Sequence, residues 1–350
     1  MPYSSVFANL LQRKRQVRVA AILGTVFFSI PLLILGKASA QTGTLLAINE
    51  GESTLSIINP QTGQELARVA EGAVAGHEVV ASFDGRTAYV PIYGDSSAGD
   101  PGSDGSELVA IDLVSHKVVG HIDFGHGVRP HQPVLDPRDG MLYVTTELDQ
   151  TITVIDPKTM KIVGAIPTGQ ALSHMLVLDH EGRLGYTANI QPGSVSVLDI
   201  RARKLLTTIP VSAKMQRIAI SVDDKRLFTT DQTQPRVAVI NTATRQVDAW
   251  ISLPAIGYTL TTTQDGRWLL VGIQSTSQVA VIDLELNKVI RTIDLPKSPH
   301  EILMSPDGAT AYVSCTANEQ IATIRVSDWT VTKLIKAGTR VDGLAWAKQH

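Results

Sequence analysis

Three short segments recur in the same order along this chain, and that repetition limits its fold more than any other property. The first runs into a turn, as VVASFDG, PVLDPRDG, LVLDHEG, AISVDDK, TTTQDG and ILMSPDG. The second is a short apolar run: TAYV, MLYV, LGYT, RLFT, WLLV and TAYV. The third alternates and closes on Ile-Asp or its equivalent: LVAIDL, ITVIDP, VSVLDI, VAVINT, VAVIDL and IATIRV. An outer run such as KVVGHI, KIVGAI, KLLTTI or KVIRTI follows. Val, Ile, Leu and Thr suit a half-buried pleat, and the Asp-Gly and polar pairs between runs suit tight hairpins. Each unit is expected to be a four-stranded antiparallel sheet.

Residues matched by position lie at His131, His174, Arg217, Tyr258, His300 and Asp342, spaced 43, 43, 41, 42 and 42 apart. His77 precedes His131 by 54, the excess being an insertion from Gly94 to Ser106. Four strands every 40 to 45 residues is the spacing of propeller blades. Residues 44–70 supply only three strands, and the C-terminal run from Gly343 to Ala347 matches an innermost one. Pairing the two pieces completes a blade and removes the open sheet edges. Six whole blades plus this composite one predict an all-β, seven-bladed β-propeller over residues 41–350.

Residues 1–40 are set apart. Arg13, Lys14, Arg15 and Arg18 precede an apolar run from Val19 to Gly36, which ends in Lys37-Ala38-Ser39-Ala40. That order reads as a signal peptide cleaved after Ala40, with a retained membrane anchor as the alternative. Either way the body of the chain is expected outside the cytoplasm, periplasmic or extracellular. Without this segment, 26 basic and 33 acidic residues remain, a net charge of −7. An acidic body argues against nucleic acid as a partner, because such binding needs basic surface. The single cysteine, Cys315, excludes an internal disulfide, so stability must come from the core.

The matched residues fall at the start of each innermost strand, nearest the axis. Around the ring they are His77, His131, His174, Arg217, Tyr258, His300 and Asp342, which places four of the nine histidines at one repeat position. Ends of second strands share that mouth, among them Asn49, Glu50, Tyr93, Glu147, Asn189, Asp231, Gln232, Gln274 and Cys315. His77, His131 and His174 with Glu147 are a ligand set for a divalent transition metal such as Zn, Cu, Fe or Mn, with Gln132 or Asn189 as orienting donors. Arg217 with Arg129 or Arg340 suits a carboxylate or phosphate, unless those arginines pair with local acids such as Asp231 or Asp342. The inserted loop GDSSAGDPGSDGSE reads as a lid or rim, with Ca²⁺ on Asp95, Asp100 and Asp104 as a weaker alternative. A solvated channel accounts for polar residues in general, but not for histidines clustered on three consecutive blades.

Tyr89-Val90, Tyr143-Val144-Thr145-Thr146 and Tyr312-Val313-Ser314, each after an Asp-Gly-type turn, resemble the YVTN-repeat, YncE-like propeller family over nearly all of residues 44–347. The resemblance implies a seven-bladed propeller outside the cytoplasm, and it does not settle function. Two functions are carried forward. One is a monomeric binding propeller holding a small anionic molecule or a protein segment at its His/Arg mouth. The other is a metal-assisted enzyme of lyase, hydrolase or lactonase type, with His131, His174 and Glu147 as catalytic candidates. Membrane attachment is expected only if the N-terminal segment is retained.

Overall fold

A computed structural model describes residues 43–349 apart from 73, 96 and 192. The segment read as a signal peptide lies outside the described residues. The described residues form seven four-stranded antiparallel sheets, each running from an inner to an outer strand. Blade 1 is the composite one. Its inner strand, Val341–Lys348, pairs with Gly43–Asn49, followed outward by Thr54–Ile58 and Glu65–Ala70. Blades 2 to 7 follow in chain order.

Repeated turn chemistry explains the repeated sheets. Between the first two strands, a hydroxyl and an aspartate two residues apart close on each other, as in Ser82–Asp84, Ser221–Asp223, Thr263–Asp265 and Ser305–Asp307. The aspartate that ends the third strand caps the next turn. Asp112 Oδ1 accepts from the Val114 and Ser115 amides, and Asp156 and Asp283 accept in the same way. These acids are committed to backbone, as Asx-type turns require.

The core lies between blades. One apolar cluster joins Leu46, Ile48 and Leu55 of blade 1 to Val90, Val109 and Ile111 of blade 2. The closing strand serves two clusters: Ala345 and Ala347 pack toward blade 2, while Val341 and Leu344 pack with Tyr312 and Ile321 of blade 7.

The inner strands are irregular where they meet the mouth, and this sets the site. In blade 3, Pro130 pairs with Thr146 and Pro133 with Val144, so two inner residues, His131 and Gln132, stand opposite one partner. The same bulge holds Gln216 and Arg217 in blade 5, and His300 and Glu301 in blade 7. Bulges of this kind leave residues unpaired and re-aim their side chains. The hydroxyl of the repeat motif fixes the irregular backbone. Thr145 Oγ1 accepts from the Gln132 amide at 2.8 Å, and Ser314 Oγ accepts from the Glu301 amide at 2.9 Å.

One buried carboxyl gives a stability prediction. Glu71 is fully buried, with Oε2 accepting from the Gly76 amide at 2.8 Å and Oε1 lacking a partner. Burial pushes its pKa from the ordinary 4.5 up to about 7. The unfolded chain therefore releases this proton first as pH rises, and stability falls between about pH 4.5 and 7. Glu71→Gln should be more stable than the parent by about 3 kcal/mol at pH 8 and nearly equal to it at pH 4. Paired urea titrations at the two pH values check this, and equal midpoints at pH 8 would refute it.

Candidate functional site

The bulges set two tiers of side chains at one end of the channel. The upper tier holds His77, His131, His174, Gln216, Tyr258, His300 and Asp342, all lining a cavity of about 320 Å³. Arg217 is one residue too deep for this tier. Gln216 follows the first paired residue of its strand as His131, His174 and His300 do, so it occupies the matched position.

Arg217 lies in the second tier and forms the floor. Its guanidinium bonds Glu78 of blade 2 at 2.7 Å and Glu301 of blade 7 at shorter range, with Asp342 at 3.8 Å. Arg217 and Glu78 are almost fully buried and Glu301 is partly so, and the trio is an ion cluster across the axis. Burial pushes both glutamates upward in pKa, against the opposing pull of Arg217. Neither Glu78 nor Glu301 was evident from sequence. The signal was the uniform step of 42 residues from His174 through 216, 258 and 300 to Asp342, which makes residue 216 the ring position and 217, 78 and 301 its successors.

Two carboxylate–imidazole arrangements face the cavity. On the blade 3–4 side, Tyr93 donates to Glu147 Oε2 at 2.8 Å, while Glu147 Oε1 takes His174 Nδ1. The His131 ring stacks on that of His174, with centroids 3.7 Å apart and planes 31° from parallel. Burial holds His131 well below its ordinary pKa, so it is a neutral imidazole. On the blade 1–2–7 side, Asp342 is central. Its Oδ1 lies 2.6 Å from His300 Nδ1, outside hydrogen-bond geometry, and its Oδ2 lies 3.5 Å from His77 Nδ1. His77 Nε2 lies 3.7 Å from Glu50 Oε1 and has no hydrogen-bond partner.

The metal set expected from sequence is not the one brought together. Glu147 spends both oxygens on Tyr93 and His174, and the stacked rings of His131 and His174 cannot aim two in-plane lone pairs at one ion. Glu50, His77 and Asp342 converge instead, each with a ligand atom within 4.8 Å of the others. Burial pushes the His77 pKa down to about 4, leaving a neutral ring with a lone pair for coordination. Burial and the neighbouring Asp342 push Glu50 upward. Asp342 is held low: burial opposes ionisation, but His300, His77 and Arg217 outweigh it.

The arginines expected to hold an anion are committed elsewhere. Arg129 is buried, bonding Asp104 at 2.6 Å and the Asp100 carbonyl at 2.8 Å, so it pins the inserted loop. That loop contributes Ser97, Ala98 and Asp100 to the cavity rim. Arg340 pairs with Glu50 at 2.6 Å. Asn189 is a brace inside blade 4, linking Ser173, Thr187, Ser194 and Ser196. Asp231 holds Thr233 and Arg236, and Gln232 ties Thr230 to the Gly257 carbonyl. These three residues stabilise blades and do not line the cavity. The buried Cys315 thiol, pushed up to about 12 by burial, is a core residue.

Fold and topology thus define an all-β, seven-bladed propeller of four-stranded blades, with a floored, histidine-rich mouth. No protein-family model matches the chain, and no curated protein matches it. Among solved structures it is similar to hydrazine synthase of Kuenenia stuttgartiensis, at 18% identity over 81% of this chain and 92% of that one, with a TM-score of 0.70. It is also similar to a functionally unknown protein of Desulfotomaculum acetoxidans, at 12% identity over 88% and 100% of the two chains, with a TM-score of 0.72. A third is dihydro-heme d1 dehydrogenase NirN in complex with DHE, at 13% identity over 86% and 74%, with a TM-score of 0.63. At these identities the likeness carries the fold alone.

Proposed function

We propose that this propeller binds a divalent transition metal at its channel mouth through Glu50, His77 and Asp342, and uses the open coordination positions to handle a small molecule. The convergence of one imidazole and two carboxylates within 4.8 Å carries the reading. Mixed nitrogen and oxygen ligands suit Zn, Mn, Fe or Co, and three protein ligands leave room for water or substrate.

Charge supports the same reading. Six carboxylates crowd the mouth, its rim and its floor (Glu50, Glu78, Asp100, Glu147, Glu301 and Asp342), and the cations there include Arg217, Arg340 and the rim residue Lys214. A bound cation would offset the burial and the Asp342 repulsion that raise Glu50, and would give a partner to His77 Nε2, a buried atom now without a hydrogen bond. The anionic-ligand alternative loses support, because Arg129, Arg217 and Arg340 are already paired.

Equilibrium dialysis against Zn²⁺, Mn²⁺ and Co²⁺, followed by elemental analysis, tests the reading. One equivalent per chain is expected, with affinity falling at least 100-fold in His77→Ala and Asp342→Asn and little in His131→Ala. Absence of saturable binding, or equal affinity in His77→Ala, would overturn it.

A further inference from the structure

The Tyr93–Glu147–His174 chain is not needed to hold a metal, yet it is buried beside the cavity at some desolvation cost. A carboxylate only accepts hydrogen bonds, so the proton between Glu147 Oε1 and His174 sits on Nδ1. The lone pair of His174 is therefore on Nε2. That atom lies 3.4 Å from the Gln216 amide nitrogen, which in turn is 3.4 Å from the Tyr258 hydroxyl, and all three residues line the cavity. Tyr93 fixes the carboxylate, the carboxylate fixes the tautomer, and the stacked His131 ring keeps the imidazole from turning. This is a base held by an orienting acid, as in nucleophile-activating dyads.

We propose that His174 is a general base that activates water against a small uncharged carbonyl compound, an ester or a lactone. The class follows from the walls. The arginines near the mouth are paired, so no free guanidinium awaits a carboxylate or phosphate. Apart from Lys214 at the exposed rim, what remains are neutral groups, Gln216, Gln274 and Tyr258, which suit carbonyl and ether oxygens. A cavity of about 320 Å³ is at the small end of ligand pockets. His174 Nε2 takes a proton from water, and the water oxygen bonds to the carbonyl carbon. The bond from that carbon to the alkoxy oxygen then breaks, and the proton passes from His174 to the departing oxygen. One water is consumed and nothing is oxidised or reduced. Polarisation of the carbonyl rests on the metal reading above; the base does not.

Hydrolysis of 4-nitrophenyl acetate and of δ-valerolactone by the full chain, dialysed with Zn²⁺ or Mn²⁺ and with its metal content measured on the same sample, is the test. Saturable turnover is expected, with kcat lower by about 10²–10⁴ in His174→Ala and partly restored by added imidazole. Glu147 is a positioning residue, so Glu147→Gln should lower kcat while leaving KM unchanged, and Glu147→Asp should recover part of the loss. A metal-loaded protein that hydrolyses neither probe overturns the proposal and leaves the metal reading standing. Turnover unchanged in His174→Ala and Glu147→Gln also overturns it. Failure to bind metal overturns the metal reading instead.

Discussion

Arg217→Met is expected to cost about 3–5 kcal/mol, a large part of the stability of an ordinary domain. The guanidinium bonds Glu78 and Glu301 across the channel and approaches Asp342, and it is only 3% exposed. Methionine has a similar volume, so packing is largely kept. What remains is two or three carboxylates facing one another without a cation. The loss should therefore be electrostatic, and the proof is its reversal. Arg217→Met combined with Glu78→Gln and Glu301→Gln removes cation and anions together, and should recover most of the lost stability, because a dismantled buried cluster is far cheaper than a broken one. Guanidinium unfolding midpoints for the single and triple variants decide the point. A single variant within 1 kcal/mol of the parent would mean that water solvates the floor.

Ending the chain at Arg340 should have a larger effect, abolishing the cooperative fold. The closing strand Val341–Lys348 is paired along Gly43–Asn49, and its Val341, Leu344, Ala345 and Ala347 are nearly inaccessible to solvent. Those side chains belong to the core on both sides, toward blade 2 and toward blade 7. Burial of such groups contributes about 1.5–3 kcal/mol for each large one, and the exposed edge of Gly43–Asn49 would lose its ladder as well. Together these losses approach the whole stability of the domain. The truncated chain is expected to aggregate or to show no sharp thermal transition by near-ultraviolet circular dichroism. A sharp transition within a few degrees of the parent would show that ring closure contributes little.

The fold was legible because each blade repeats its turn chemistry as well as its strands. Blade count, strand order and the composite closure all follow from the repeat, and the closing strand differs only in extent, Val341–Lys348 rather than 343–347. The mouth was legible in part. The ring of His77, His131, His174, Tyr258, His300 and Asp342 lines one cavity. A bulge, however, places two consecutive residues where a period admits one, so Arg217 was taken for Gln216, and the floor of Glu78, Arg217 and Glu301 went unseen. Pairing was hidden for a different reason. Whether Arg129 holds a ligand or Asp104, and whether Glu147 holds a metal or His174, depends on partners 25 and 27 residues away, and periodicity is silent about such choices. Asn189, Asp231 and Gln232 mark the right end of their strands, but their side chains turn into the blades.

The central claim, a metal ion at Glu50, His77 and Asp342, is tested most directly by anomalous diffraction from crystals grown with Zn²⁺ and recorded on both sides of the zinc edge. One strong peak is predicted at the mouth, within about 2.2 Å of a ligand atom of each of the three residues. A mouth empty of anomalous signal, or a peak seated on His131 and His174 instead, would contradict it.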